Sequence, residues 1–243
     1  MQSSITNKIS KARLVNRLQL SSEVTELRFL MIHPTEIEFK PGQYIAILID
    51  PKTRRQYSIS TSPYKSKSEF EIIYDNKPQG IGVTFLNNLV IGAEINFIGG
   101  IGHFILPEII NENNYFISTG TGFGSLKSMI ETIIFSDKYN HKLIKIHNIF
   151  GTRYSENVIY YEQISKYLLD GEITEYKVYI SKDEITEGNI FMSGRVTNYF
   201  KLGNFDLNGN YFICGNGEMI KSVEEILRKS GVNQSQIFYE KFF

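Results

Sequence analysis

Two periodicities divide the chain. From Ala12 to about Leu106, apolar residues alternate with polar ones in short runs, as they do in half-buried antiparallel strands. Residues 13–20, 24–32, 44–49, 56–60, 70–74 and 94–98 read as strands, with Lys40-Pro41-Gly42-Gln43 and Asp50-Pro51 as turns. A helical insert spans 83–89. Short strands separated by turn signals predict a small antiparallel β-barrel.

Beyond a polar run at 111–114, taken as the linker, the period changes. The β-prone residues 115–118 meet a turn at Gly120, Gly122 and Gly124. Leu126, Met129, Ile130, Ile133 and Ile134 then recur at helical spacing. Strands at 143–150, 176–180, 211–214 and 237–239 alternate with helices at 158–169, 195–202 and 218–229. That alternation predicts a doubly wound parallel sheet with ligands at the carboxyl ends of its strands. The expected domains are 1–110 and 111–243.

Composition narrows the function. The chain has 243 residues, enough for two cores, and 26 basic side chains balance 26 acidic ones. A general nucleic-acid or membrane-surface binder would carry a basic excess, so neither partner is expected. Cys214 is the single cysteine, so the chain cannot by itself build a disulfide, a zinc site or an iron–sulfur cluster. His33, His103, His141 and His147 lack metal-ligand spacing, and no metal is expected. The first residues lack the apolar core of a signal peptide, and no apolar run is long enough to span a membrane. The expected location is the cytoplasm.

Three stretches offer phosphate-binding chemistry. The strand–glycine turn–helix at 115–134 gathers backbone N–H groups at a helix N-terminus. Gly80-Ile81-Gly82-Val83-Thr84 opens a second helix in the same manner. Arg55-Gln56-Tyr57-Ser58-Ile59-Ser60 places a cation, an aromatic ring and two hydroxyls on adjacent strand positions. Each has a plain structural alternative: an ordinary βα turn, a simple helix cap, an edge strand with an exposed Arg. Two dinucleotides would use all three.

In this company Arg55–Ser58 resembles the R-x-Y-S signature of the ferredoxin-NADP reductase family, and Gly82-Val83-Thr84 its second flavin motif with Thr for Ser. Residues 92–104, GAEINFIGGIGHF, resemble G-D-x-V-x-V-x-G-P-x-G-x-F, with Ala93-Glu94 near the usual Gly-Asp and Gly100 where Pro is common. GTGFGSLKSM at 120–129 is similar to G-T-G-x-x-P-x-x-S-M, with Gly124-Ser125 for Ala-Pro. Gly151-Thr152-Arg153 with Tyr160, Ser193-Gly194-Arg195-Val196-Thr197, Cys214–Met219 and Tyr239–Phe243 resemble later family segments in the right order.

The resemblance implies an antiparallel β-barrel carrying FAD, followed by an α/β domain for the nicotinamide nucleotide. It implies that Arg55 pairs with the FAD pyrophosphate, Tyr57 lies against the flavin and Ser58 hydrogen-bonds flavin N5. Gln56, Thr121 and the main chain at Ile72, Ile73, Tyr74, Gly82, Val83 and Thr84 complete the FAD site, and Phe242 or Phe243 covers the ring. Gly120, Thr121, Gly122, Arg153, Ser181, Lys182, Arg195, Cys214, Gly215, Asn216 and Met219 are the implied nicotinamide-nucleotide contacts. Ser58, Cys214 and Glu240 form the implied catalytic set. Cys214 packs beside the nicotinamide, and Glu240 relays protons or stabilises charge.

Ser181-Lys182 stands where NADPH-using members carry Ser-Arg, with Arg153 and Arg195 as further cations, so NADPH is expected. Asp183 and Glu184 keep NADH open. The implied activity is hydride exchange between NAD(P)H and FAD, with single electrons passed to ferredoxin, flavodoxin or another redox protein. The alternatives are the reductase component of an oxygenase and a non-catalytic flavin-binding electron-transfer or regulatory subunit. Relatives of the last type usually bear a C-terminal cysteine cluster, which this sequence does not contain.

Overall fold

The structure, a computed structural model, describes residues 9–77, 80–139, 143–203 and 205–241. Strands β1 (Ser10–Gln19), β2 (Val24–His33), β3 (Tyr44–Leu48), β4 (Arg54–Ser58), β5 (Glu69–Asp75) and β6 (Glu94–Ile101) form an antiparallel sheet in the order β4-β3-β6-β1-β2-β5. Its two edges meet just past β4, where Ile59 bridges Ile72 and the Ser60 N–H donates to the Glu71 carbonyl at 2.8 Å. The sheet thereby closes as a barrel. Alternate residues point inward, so Leu14, Leu27, Phe29, Ile45, Ile47, Phe70 and Phe97 fill the interior. Phe29 stacks on Phe70 with centroids 5.4 Å apart, and Phe97 tilts against Phe70 at 5.2 Å.

The second sheet is parallel, in the order β10-β9-β8-β7-β11-β12. Its strands are β7 (Asn113–Thr119), β8 (Lys145–Thr152), β9 (Glu175–Ile180), β10 (Phe191–Ser193), β11 (Asn210–Gly215) and β12 (Ile237–Lys241). Phe116, Phe212 and Phe238 stack across β7, β11 and β12 with centroid spacings of 5.0 Å at both steps. Helices α2 (Phe123–Phe135) and α3 (Tyr161–Leu169) cover that face. Helices α4 (Thr197–Lys201) and α5 (Gly217–Lys229) cover the other, over Tyr115, Ile149, Tyr211 and Ile213. Helix α1 (Ile81–Asn88) is the insert in the barrel.

The differences from the sequence reading are local. Strand β7 begins at Asn113, inside the stretch taken as linker, because its first residues pair with Lys145 and Ile146. Helix α3 starts at Tyr161 rather than 158: a 3₁₀ turn at Ser155–Asn157 precedes it, and Tyr160 adopts φ 54°, which the helix cannot include. Strand β10 was not anticipated; its three residues carry no alternation long enough to read. Helix α2 is buried along residues 123–134, Lys127 and Glu131 included, because it is sandwiched between the parallel sheet and the barrel. Its apolar stripe meets the sheet, and its polar stripe meets protein instead of water.

Candidate active site

On the barrel side, strand β4 presents Arg55 and Tyr57 over the start of α1. A Cβ added to Gly82 would lie 2.5 Å from the Tyr57 hydroxyl oxygen and 2.8 Å from Arg55 Cγ, so only glycine leaves this cradle open. Helix α1 begins at Ile81, two residues before the predicted start. Its N-cap is Gly80, which has no side chain to cap it, and Thr84 sits inside the first turn. The first N–H groups are thus left for another acceptor, as an anion site requires. Arg55 is exposed and has no carboxylate partner among the described residues. Burial pushes the Tyr57 phenol up to about 12, so it stays neutral.

Gln56 is tied to the Tyr44 hydroxyl at 3.1 Å, and Ser58 is buried at the strand end. Ile72 and Tyr74 direct their side chains into the barrel core, where the Tyr74 hydroxyl donates to Asn87 at 2.8 Å; what they can offer a ligand is main chain. Ile73 faces the other way, onto α2, 3.0 Å from where a Gly124 Cβ would stand. Glycine at 124 lets the helix approach β5 this closely.

On the α/β side, the Gly120–Gly122 turn joins β7 to α2. A Cβ on Gly122 would collide with the Cys214 carbonyl, and one on Gly215 (φ 133°) would stand 2.5 Å from Thr119 Oγ1. These glycines bring the carboxyl ends of β7 and β11 together. Asn216 accepts from Glu218 N–H at 3.0 Å and Met219 N–H at 3.3 Å, so its carbonyl oxygen serves as the α5 cap. Met219 packs against the core under α5.

Parallel register places Ser118, Cys214 and Glu240 side by side on β7, β11 and β12. Alternation puts all three on the face that looks toward α2 and the barrel. Burial, with Glu240 adding to it, pushes the Cys214 thiol up to about 12, and it is a packed neutral group. Burial raises the Glu240 carboxyl to about 7. Ser118 Oγ and Glu240 Oε2 are buried without a hydrogen-bond partner. Unsatisfied polar atoms are costly, and two on the sheet face that looks toward the barrel fit a polar ring system held against it. Ser118 was not singled out in the sequence, since a hydroxyl in a β run carries no signal until the register is known.

The predicted nucleotide cations gather at one edge. Arg153 follows β8, Ser181 and Lys182 follow β9, and Arg195 follows β10 past Gly194, whose N–H donates to Ile180 at 2.8 Å. Lys182 N–H donates to the Arg153 carbonyl at 2.9 Å. All three cations are exposed and lack carboxylate partners among the described residues. Asp183, by contrast, accepts from the Ser155 N–H at 2.6 Å and hydroxyl at 2.8 Å, which holds its carboxyl below the usual range. Phe242 and Phe243 lie outside the described residues. A cavity of about 640 Å³ opens elsewhere, beneath the C-terminal end of α2 by Tyr64 and Leu106, and touches none of these residues.

The model of the oxidoreductase FAD-binding domain matches residues 11–105, and that of the oxidoreductase NAD-binding domain matches residues 116–225. Ferredoxin–NADP reductase B of Sorangium cellulosum is 26% identical over 96% of this chain and 97% of its own length. The chain belongs to the ferredoxin–NADP reductase family. It is an FAD-containing oxidoreductase that uses NAD(P)H. The reductase component of propane 2-monooxygenase from Rhodococcus jostii is 27% identical across 94% of this reductase, which spans 62% of that longer protein. Among solved structures, the Amycolatopsis cytochrome P450 reductase GcoB shares the fold at TM-score 0.85 and 16% identity, covering 97% of this chain and 70% of that one. Ferredoxin-NADP+ reductase of Plasmodium falciparum, solved with 2′P-AMP, does so at 0.75 and 21%, over 96% and 95%. No helix of the described residues is long and apolar enough to cross a membrane.

Proposed function

We propose that this reductase takes a hydride from NADPH and delivers electrons singly to a separate redox protein, ferredoxin or flavodoxin. The observation that carries the reading is the presence of two glycine cradles, at Gly82 on the barrel and at Gly122 beside Cys214, together with the unpartnered polar atoms of Ser118 and Glu240. FAD, when bound, supplies the two-electron to one-electron conversion. The chain's own residues bind, orient and exclude water. Arg55 and the free N–H groups of α1 hold a pyrophosphate, Tyr57 lies against the ring system, and Ser58 and Ser118 satisfy its polar edge. The Gly120–Gly122 turn lets the nucleotide phosphates approach backbone. Cys214 fills space beside the nicotinamide without reacting, and Glu240, poised near neutrality, holds or releases a proton at Oε2.

NADPH is favoured over NADH because Arg153, Lys182 and Arg195 are free to meet a 2′-phosphate while Asp183 is engaged by Ser155. Similarity to oxygenase reductase components supports a second reading, in which the acceptor is an oxygenase partner. Anaerobic stopped-flow of the FAD-loaded protein tests the proposal. Flavin bleaching by NADPH at a concentration at least tenfold below that needed for NADH is expected. Absence of bleaching with either nucleotide would overturn it.

A further inference from the structure

The polar stripe of α2 meets the barrel through a buried seam of charges. Lys127, 2% exposed, lies at its centre. Its ammonium donates to the Ser60 carbonyl at 3.2 Å and to Glu71 Oε2 at 3.1 Å, and it lies 3.2 Å from Glu131 Oε1 one turn along the helix. It also stands over the Tyr160 ring, 5.0 Å from the centroid. Tyr160, held at φ 54°, donates its hydroxyl to Glu26 on β2 at 2.5 Å. Arg28 donates to Glu71 at 2.8 Å, and Lys65 reaches Glu131 at 3.3 Å. Flanking hydroxyls add Ser128 to the Thr61 carbonyl at 2.7 Å and Ser62 to Thr132 at 2.8 Å.

Burial alone would lower the Lys127 pKa, but Glu131, Glu71 and Glu26 more than offset it and hold it above the ordinary value. Two ion pairs thus cross between the domains, Lys127 with Glu71 and Lys65 with Glu131, while Arg28–Glu71 and Lys127–Glu131 brace each side from within. Such a seam is a poor source of stability, because apolar side chains of like volume usually do as well. It differs from an apolar interface in having one register: hydrophobic contact is non-directional, whereas these donors and acceptors match in one arrangement. Both poles are covalently tied to the two cradles. Ser60 follows Ser58 by two residues, and Glu71 precedes Ile72. Lys127 lies in the helix that the Gly120–Gly122 turn opens.

We propose that Lys127 is a positioning residue for hydride transfer, fixing the nucleotide domain against the barrel so that the Gly122 turn and the Ser58 strand end face each other at reacting distance. The proposal rests on the reductase reading above. It follows from the steep dependence of such reactions on placement, where about 1 Å of misplacement costs about a hundredfold. Lys127 itself touches no reacting atom in this role.

The test compares FAD-loaded wild type, Lys127→Met and Lys127→Arg. One readout needs no turnover: the distance distribution between spin labels at Lys52→Cys on the barrel and Lys229→Cys on α5, both exposed, with the native Cys214 buried. The second is the limiting rate of flavin reduction, set beside the dissociation constants for FAD and for a 2′-phosphorylated adenosine fragment. Lys127→Met is expected to broaden the distribution at least twofold and slow reduction at least tenfold, with both dissociation constants within threefold of wild type. Lys127→Arg is expected to restore both within threefold. An unbroadened distribution, or a rate within twofold of wild type, would overturn the proposal, as would a rate that falls only in step with lost FAD affinity. If Lys127→Met does not fold, Tyr160→Phe, which removes the hydroxyl given to Glu26, is held to a threefold threshold in both readouts. Failure of wild type to be reduced would instead remove the reductase reading, and the hydride-transfer role with it.

Discussion

Cys214 on β11 stands in register with Glu240 on β12, and both side chains turn toward the barrel from the same face of the sheet. Burial raises the Glu240 carboxyl to about 7, against an ordinary 4.5. The folded state therefore binds this proton more tightly than the unfolded chain does. The associated stability is fully present below about pH 4.5 and is lost as pH rises through about 7. Glu240→Gln removes the titration. Urea denaturation at pH 5.5 and 8.5 should show the variant gaining about 1–2 kcal/mol relative to wild type at the higher pH, allowing for partial solvent screening.

The same burial keeps Cys214 a thiol. With its pKa pushed up to about 12, thiolate is scarce at pH 8, and the sulfur is fully buried. Iodoacetamide at pH 8 should label the folded protein at least a hundredfold more slowly than the protein in urea. Fast labelling of the folded state would contradict the packing role given to this residue.

Asp183 invites reading as a ribose-diol carboxylate, and its engagement by Ser155 argues otherwise. Asp183→Asn should therefore leave the NADPH-to-NADH preference within twofold. Lys182→Ala and Arg195→Ala should each raise the KM for NADPH about five- to tenfold, roughly 1–1.4 kcal/mol, and leave that for NADH unchanged. Steady-state kinetics with both nucleotides decide between these roles.

How much of this was legible in the sequence depends on the range of the interaction. Alternation and the 3.6-residue period are local, and they gave the strands around Leu27, Phe70 and Phe97 and the helix carrying Leu126, Met129 and Ile133. Family motifs carried the candidate site residues Arg55, Gly122 and Cys214. Register was not local: nothing near Ser118 announces that it lines up with Cys214 and Glu240, because that pairing joins residues 118, 214 and 240. The polar stripe of α2 misleads for the same reason. Lys127 and Glu131, at i and i+4, carried no signal of burial in the sequence, and only the barrel's position turns them into a buried seam. The early α1 start escaped because Gly80 gives the helix no side-chain cap to recognise.

The two glycine cradles separate the two cofactor sites experimentally. At Gly82 an added methyl meets the Tyr57 hydroxyl oxygen and Arg55 Cγ, both parts of movable side chains, so the fold can yield while the cradle fills. Gly82→Ala should lower FAD affinity at least tenfold and cost under about 1 kcal/mol of apoprotein stability. At Gly122 the methyl meets the backbone of Cys214 and Gly215, which cannot rotate away. Gly122→Ala should therefore cost about 2–3 kcal/mol and displace the turn proposed to receive the nucleotide phosphates, weakening NADPH binding more than FAD binding. Urea unfolding of the apoprotein, with fluorescence titration of FAD and of the 2′-phosphorylated fragment, measures both. Equal loss of both ligands in both variants would mean that the two cradles do not serve separate cofactors.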